Sequence, residues 1–310
     1  MSPRHFLAAT AVSLGLIALS PAHAGMVWSY NYSGAGASGS GYLATTSTLS
    51  GGTYDITGIS GKVGSAPILS LLAAGNYPTS AGGLLLSDNL LHASGPLLGY
   101  GGFTVQTASD LFNVYYTGGQ YYQLAGADCA AATCGSAGHL GTGISFSATL
   151  VPSIDWAFTY SGAGIHASGV LTTLATPVAG HYQIVGLSGE RDLQDMNALL
   201  PAGNYATSAG GLLLSDNLLA DAEPFLEYGG FTFHSGTDLY NVYRTNQQYY
   251  ELAGADCAAA TCGSAGHLGT PIGFNVSRIP EPNSLALLIV ALLAATGLRG
   301  RKSTASQRAA

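Results

Sequence analysis

Shifted by 128 residues, most of this chain falls on itself. Trp28 lands on Trp156, Tyr32-Ser33-Gly34-Ala35-Gly36 on Tyr160-Ser161-Gly162-Ala163-Gly164, and Thr79–Leu91 on Thr207–Leu219 without a mismatch. Leu124–Thr142 returns letter for letter as Leu252–Thr270. No insertion or deletion is needed between Trp28 and Thr270. A chain duplicated in this way must use a fold whose core closes within about 120 residues and can be built twice in series. The spacing predicts one domain over residues 25–150, a linker over 151–155 and a second domain over 156–278. A linker that short predicts that the two copies sit close together.

Within each copy the hydrophobic period is two. Trp28, Tyr30 and Tyr32 alternate with polar residues, as do Trp156, Phe158 and Tyr160, which is the pattern of a strand with one buried face. Gly52–Gly61 and Gly180–Gly189 are short runs of strand-forming residues bounded by glycine, and Phe103/Val105 and Phe231/Phe233 supply another alternating pair. Asn113–Leu124 reads as a hairpin around Gly118-Gly119, a dipeptide suited to the primed turns. Its counterpart, Asn246-Gln247, suits them less well and predicts a longer turn. Strand signals every ten to fifteen residues with glycine-rich turns predict an all-β chain of two tandem β-sandwich or barrel-like domains. A short helix over Asp192–Leu200, with its counterpart over Gly64–Leu72, is a minor expectation: Ser65 offers a cap and Pro67 falls in the first turn.

The ends of the chain carry addresses. Arg4 precedes an uncharged apolar run from Phe6 to Leu19, and Ala22-His23-Ala24 follows. This is the pattern of a secretory signal peptide over residues 1–24, with the mature chain starting at Gly25. At the other end Pro280-Glu281-Pro282 precedes an apolar stretch, Leu285–Leu298, closed by Arg299, Arg301 and Lys302. A single spanning helix with basic residues on its inner side stops in a membrane in that orientation. The whole unit, residues 279–310, resembles the PEP-CTERM sorting signal of exported Gram-negative proteins. That resemblance implies recognition and tail removal by an exosortase, a transient inner-membrane anchor, a cell-envelope or extracellular destination, and association with exopolysaccharide. The repeat itself is similar to a domain common in exported PEP-CTERM proteins. The residues that carry this similarity are the aromatic-Ser-Gly strand, Ser-Asp-Asn-Leu-Leu and the Asn-Val-Tyr hairpin.

Between Gly25 and Arg278 four basic residues face fifteen acidic ones. That balance argues against nucleic acid as a partner and against anionic membrane surfaces. Cys129 and Cys134 enclose four residues, and Cys257 and Cys262 do the same. In an exported chain even pairs are read first as disulfides that hold a loop. Zinc held by Asp128, Cys129, Cys134 and His139 is the rival, and a bridge between copies is a third arrangement. Asp88-Asn89 and Asp216-Asn217 read as Asx turns before calcium ligands, because the full calcium-loop pattern is absent. His139 and His267 have no nucleophile beside them in sequence. The tyrosines of the hairpins, Tyr115, Tyr121, Tyr122, Tyr243, Tyr249 and Tyr250, are candidates for stacking on sugars, although such residues also simply fill sheet faces.

No catalytic residue, metal or cofactor is expected. The carboxylates shared by both copies, Asp88, Asp110 and Asp128 with Asp216, Asp238 and Asp256, come without a supporting motif, whereas glycoside hydrolysis needs two placed acids. Duplication suits binding, where two weak sites gain from effective concentration. The expectation is an exported, non-enzymatic surface or matrix protein associated with exopolysaccharide. The alternatives are a secreted polysaccharide-modifying hydrolase and a calcium-dependent adhesin module.

Overall fold

The computed structural model describes residues 25–79, 83–128, 140–206, 212–255 and 268–280. All described regular structure is β. The first lobe contains β1 (Met26–Gly34), β2 (Ser38–Thr45), β3 (Thr53–Val63), β4 (Ala66–Pro67), β5 (Ser70–Leu71), β6 (Gly75–Pro78), β7 (Leu84–Ser87), β8 (Leu90–His92), β9 (Phe103–Gln106), β10 (Leu111–Thr117), β11 (Gln120–Ala125) and β12 (Thr142–Val151). The second contains β13 (Ser153–Gly162), β14 (Ile165–Leu174), β15 (His181–Arg191), β16 (Gln194–Leu199), β17 (Gly203–Ala206), β18 (Leu212–Ser215), β19 (Leu218–Ala220), β20 (Phe231–Ser235), β21 (Asp238–Thr245), β22 (Gln248–Ala253) and β23 (Thr270–Arg278).

The second lobe is a closed barrel. Its antiparallel order runs β14, β13, β23, β22, β21, β20, β16, β15, and β15 pairs back onto β14. Closure leaves no barrel edge to pair with another chain. The first lobe follows the same path, β2, β1, β12, β11, β10, β9, β5, but the strand that should complete it is broken into β4 and β5. Pro67 sits at the break, and proline cannot donate to a ladder, so this lobe is a half-barrel. Register repeats with the sequence: Tyr30 faces Ala148 where Phe158 faces Val276.

The helix expected over Asp192–Leu200 is therefore corrected. Asp192 and Leu193, both at positive φ, turn the chain, and Gln194–Leu199 then runs as β16. Its apolar residues are needed to seal the barrel: Met196 and Leu199 pack into the core. That tertiary demand outweighs a local helical preference. The equivalent segment, Gly64–Leu72, contains β4 and β5, with Ile68 between them packed into the first core. The second hairpin turn is not longer than the first. Thr117 pairs with Gln120 and Thr245 with Gln248, and both central residues of each turn have positive φ, 57° and 88° in Gly118-Gly119 and 48° and 66° in Asn246-Gln247. The residues read as a linker are strand at both ends, with Pro152 alone between β12 and β13.

Each lobe buries an equivalent core. Tyr30, Leu43, Phe103, Val105 and Val114 fill the first, and Phe158, Leu171, Phe231, Phe233 and Val242 fill the second. Trp28 and Trp156 each donate the indole N–H to a threonine, Thr45 at 3.1 Å and Thr173 at 3.0 Å. Burial of an aromatic body with its polar tip satisfied is what places these residues on the inner face. The lobes touch through β2 and β3 of the first and β15 and β16 of the second. There the buried Ser60 hydroxyl donates to the Val185 carbonyl at 3.0 Å, and Leu69 packs on the cluster around Leu200 and Tyr243.

Candidate functional site

The repeated Ser-Asp-Asn stretch is the centre of a polar knot. Asn89 takes the left-handed conformation, φ 53°, accepts the Ser87 hydroxyl at 2.7 Å and donates to the Leu72 carbonyl at 2.7 Å. Ser87 in turn accepts the Thr104 N–H at 3.1 Å. Asn113, buried on β10, points its amide at the carbonyls of Leu86 at 2.6 Å and Gly101 at 2.9 Å. The second lobe repeats every bond through Asn217, Ser215, Thr232 and Asn241. Asp88 accepts the Leu90 N–H at 3.2 Å, and Asp216 accepts that of Leu218 at 3.1 Å. These are the Asx turns that the sequence indicates.

The knot presses Asp88 against the backbone of Gly99–Gly101. A Cβ on Gly101 would lie 2.7 Å from the Asp88 carboxyl carbon, and one on Gly229 would lie 2.5 Å from that of Asp216. Only glycine lets the chain pass, and the residue carried past the acid is a tyrosine. Tyr100 is 51% exposed and Tyr228 50% exposed, at equivalent positions. Each is braced edge-on by a buried partner, Tyr115 at 6.1 Å and Tyr243 at 6.0 Å. An exposed ring held by a buried one is a rigid apolar face.

A histidine completes this corner in both lobes, but from opposite strands. In the first lobe it is His92 on β8, paired with Thr53 of β3. In the second it is His181 on β15, paired with Ala220 of β19. A Cβ on Gly99 would approach the His92 Nε2 to 3.3 Å, so a side chain there would crowd the imidazole. With the histidine on the other strand the second lobe carries Glu227 at that position, 3.4 Å from His181 Nε2. Burial pushes the Asp88 carboxyl above the ordinary carboxylate range, opposed by the N–H groups of Leu90 and Gly101 and by His92. Burial raises Asp216 likewise. The Leu218 N–H opposes the rise, Glu227 adds to it, and His181 opposes it. The result is an aromatic face with an acid and an imidazole at its side, made twice. Such a surface suits a polyhydroxylated ligand, which offers C–H faces to the ring and hydroxyls to the polar groups.

The tyrosines singled out from sequence lie mostly inside. Tyr115 and Tyr243 are buried and donate to the carbonyls of Leu140 at 2.9 Å and Leu268 at 2.8 Å. Burial pushes the Tyr115 hydroxyl up to about 12. Tyr249 is buried, with its hydroxyl on Glu223 and the Phe225 N–H. Tyr121 accepts the Leu97 N–H at 2.7 Å, and Tyr122 and Tyr250 tilt onto Tyr115 and Tyr243. Tyr115 and Tyr243 brace the exposed pair with Tyr122 and Tyr250 behind them, whereas Tyr121 and Tyr249 pack on Phe146 and Phe274. Sequence reasoning missed Tyr100 and Tyr228. The available signal was a tyrosine placed directly before a repeated Gly-Gly.

The repeated acids at Asp110 and Asp238 hold loops. Asp110 accepts the N–H of Leu111 at 2.8 Å and that of Ala127 with both oxygens, and Asp238 does the same for Leu239 and Ala255. Among the described residues no group of three His, Cys, Asp or Glu is arranged to hold a metal ion. Cys129, Cys134, Cys257 and Cys262, with His139, Asp256 and His267, lie outside the described residues, as do Glu281, Pro282, Arg299, Arg301 and Lys302. Pro280 is the last described residue and is exposed.

A second polar constellation belongs to the second lobe alone. Glu251, buried, takes the Arg191 guanidinium through bonds of 2.9 Å and 2.7 Å and the Tyr160 hydroxyl at 2.6 Å. Arg191 also lies 4.0 Å from the centre of the Tyr240 ring. Burial works against its charge, but the Glu251 bonds outweigh it and hold the guanidinium more basic than usual. The first lobe has Val63, Gln123 and Tyr32 at these positions, and there the Tyr32 hydroxyl and the Gln123 carbonyl oxygen are buried without a partner. Beside Tyr160 an open groove of about 730 Å³ is lined by Ser161, His166, Glu190, Asp192 and Asn275 among others.

No family model, no curated protein and no solved structure matches the chain. What the fold and site define is an all-β chain in which a closed barrel and a half-barrel present the same aromatic corner.

Proposed function

We propose that this chain is an exported cell-surface or matrix protein that holds exopolysaccharide without turning it over, and that the Tyr100 and Tyr228 corners are its two contact points. The leader over residues 1–24 and the exosortase-directed tail over residues 279–310 carry it there. The observation that supports binding is the duplicated exposed tyrosine, braced from below and flanked by a carboxylate and an imidazole. The histidine arrives from a different strand in each lobe, so the corner has the same chemistry by two routes. A binding role is also consistent with the acids: Asp110 and Asp238 have both oxygens engaged by backbone N–H groups, an arrangement that holds a loop rather than transfers a proton. Two contacts in one chain favour capture of a repeating polymer by avidity.

The test is retention of the purified exported protein on the producing cell's own exopolysaccharide. Tyr100→Ala and Tyr228→Ala should each weaken retention and the double variant should abolish it, with the far-ultraviolet spectrum unchanged. Release of new reducing ends, lost in Asp110→Asn or Asp238→Asn, would instead establish the hydrolase alternative. Loss of retention on chelation would establish the calcium-dependent adhesin.

A further inference from the structure

Asp155 is a buried carboxylate in a place where the first lobe has none. Its counterpart one repeat earlier is Val27, and its cross-strand neighbour Thr172 corresponds to Ala44. The acid and the hydroxyl therefore belong to the second lobe only. Asp155 Oδ1 accepts the Thr172 hydroxyl at 2.7 Å. Its other oxygen, Oδ2, accepts one donor, the backbone nitrogen of Gly25, at 3.0 Å across 130 residues of sequence. No charged side chain is among the groups acting on Asp155: burial pushes its carboxyl up, and the Thr172 hydroxyl and the Gly25 nitrogen pull it down. A buried acid without a cation is costly, and a backbone amide offsets only part of that cost.

The nitrogen that reaches it is the one that the leader's removal would charge. We propose that hydrolysis of the Ala24–Gly25 bond creates an α-ammonium group that forms a buried ion pair with Asp155. The reaction consumes one water, leaves a carboxylate on Ala24 and an ammonium on Gly25, and so delivers the missing cation to Oδ2. The inference rests on the export reading and extends it. The same residue also holds the other end of the mature domain, because the Asp155 carbonyl accepts the Ile279 N–H at 2.8 Å immediately before Pro280. Leader removal thus fastens the first strand to the second lobe at the point where the chain leaves for its sorting segment. The precursor, with a neutral amide at Gly25, has the hydrogen bond but not the charge.

The experiment uses the full chain produced in a secreting host. Mass spectrometry identifies the first residue, and the pH dependence of acylation of its α-amine gives the titration midpoint. The expected result is Gly25 as the first residue, with a midpoint at least ~1 pH unit above the ordinary ~7.7–8.0 of an α-amine. This corresponds to about tenfold slower labelling at neutral pH. The ordinary midpoint should return in Asp155→Asn and, should that variant not fold, in the wild-type chain unfolded in urea. Gly25 first with an ordinary midpoint in the folded protein would overturn the ion pair and leave the export reading standing. A different first residue would overturn both the cleavage position and the pairing.

Discussion

Replacing Asn113 by alanine removes the amide at the centre of the knot that carries Tyr100. Its Nδ2 lies within bonding distance of four acceptors: Leu86 O at 2.6 Å, Gly101 O at 2.9 Å, Thr104 Oγ1 at 3.0 Å and Phe103 O at 3.2 Å. The group has two hydrogens, so the arrangement amounts to two full bonds with the remainder shared. At about 1 kcal/mol net each, two buried bonds contribute about 2 kcal/mol. Leu86 O keeps the Thr104 hydroxyl as a donor, but Gly101 O loses its amide partner, at a further cost of about 1 kcal/mol. The expected loss is about 3 kcal/mol. If the lobes unfold together as a unit of about 250 residues, Tm should fall by about 6–12 °C. Asn241→Ala supplies an internal replicate, because its four distances, 2.7, 3.0, 3.1 and 3.2 Å, match within a tenth of an ångström. Calorimetry of both variants checks the magnitude. Freeing Gly101 should also loosen Tyr100, so retention on exopolysaccharide should fall with stability. A loss under about 1 kcal/mol in either variant would refute the account, since two lost bonds and a stranded carbonyl cannot cost so little.

Two further outcomes are expected. Asp88→Asn should raise Tm at pH 7 and leave it unchanged below pH 3.8. Burial raises the folded carboxyl above its ordinary value of 3.8, so its contribution to stability is fully present below that value and is lost as pH rises through the folded one; a thermal-melt series against pH reads the difference. Arg191→Val should cost about 3–5 kcal/mol by leaving Glu251 buried and unpaired, whereas adding Glu251→Gln, which restores the residues of the first lobe, should recover most of the loss; a double-mutant cycle in denaturant measures the coupling.

The all-β class and the repeat were legible because they depend on period and offset, which a single sequence carries in full. Trp28, Tyr30 and Tyr32 alternate in the letters as they alternate in space. The Asx turns were legible for a similar reason, since Asp88 bonds its own neighbour two residues on. The β16 segment was not legible. Nothing local to Gln194–Leu199 states that a barrel is open by one strand there, and the instruction lies in β15 and β20 on either side. The side to which each tyrosine turns was not legible either. Position in a hairpin shows that a ring faces one side or the other, but not which side is the core. Tyr115 faces inward and Tyr100, fifteen residues earlier, outward. The difference is made by Gly101 and Gly102, which bend the chain past Asp88, and the clash that forces glycine there exists only in three dimensions.

The two lobes separate what duplication preserved from what it released. The knot, the braced tyrosine and the loop-holding acids are kept bond for bond. The barrel wall is not: Pro67 stands where the second lobe has Asp195, and the closing strand is split into β4 and β5 in one lobe but runs on as β16 in the other. Gln123 and its counterpart Glu251 differ as well: Glu251 holds Arg191 and Tyr160, whereas the Gln123 oxygen and the Tyr32 hydroxyl are buried without a partner. The histidine of the corner shows a different behaviour. Thr53 and His92 in one lobe stand where His181 and Ala220 stand in the other, so the strand that supplies the ring changed while its neighbourhood to the acid did not. Packing alone gives no reason to replace a lost imidazole from across the ladder. A ligand that contacts the imidazole, the acid and the exposed ring together would give one, which is what the proposed binding corner predicts.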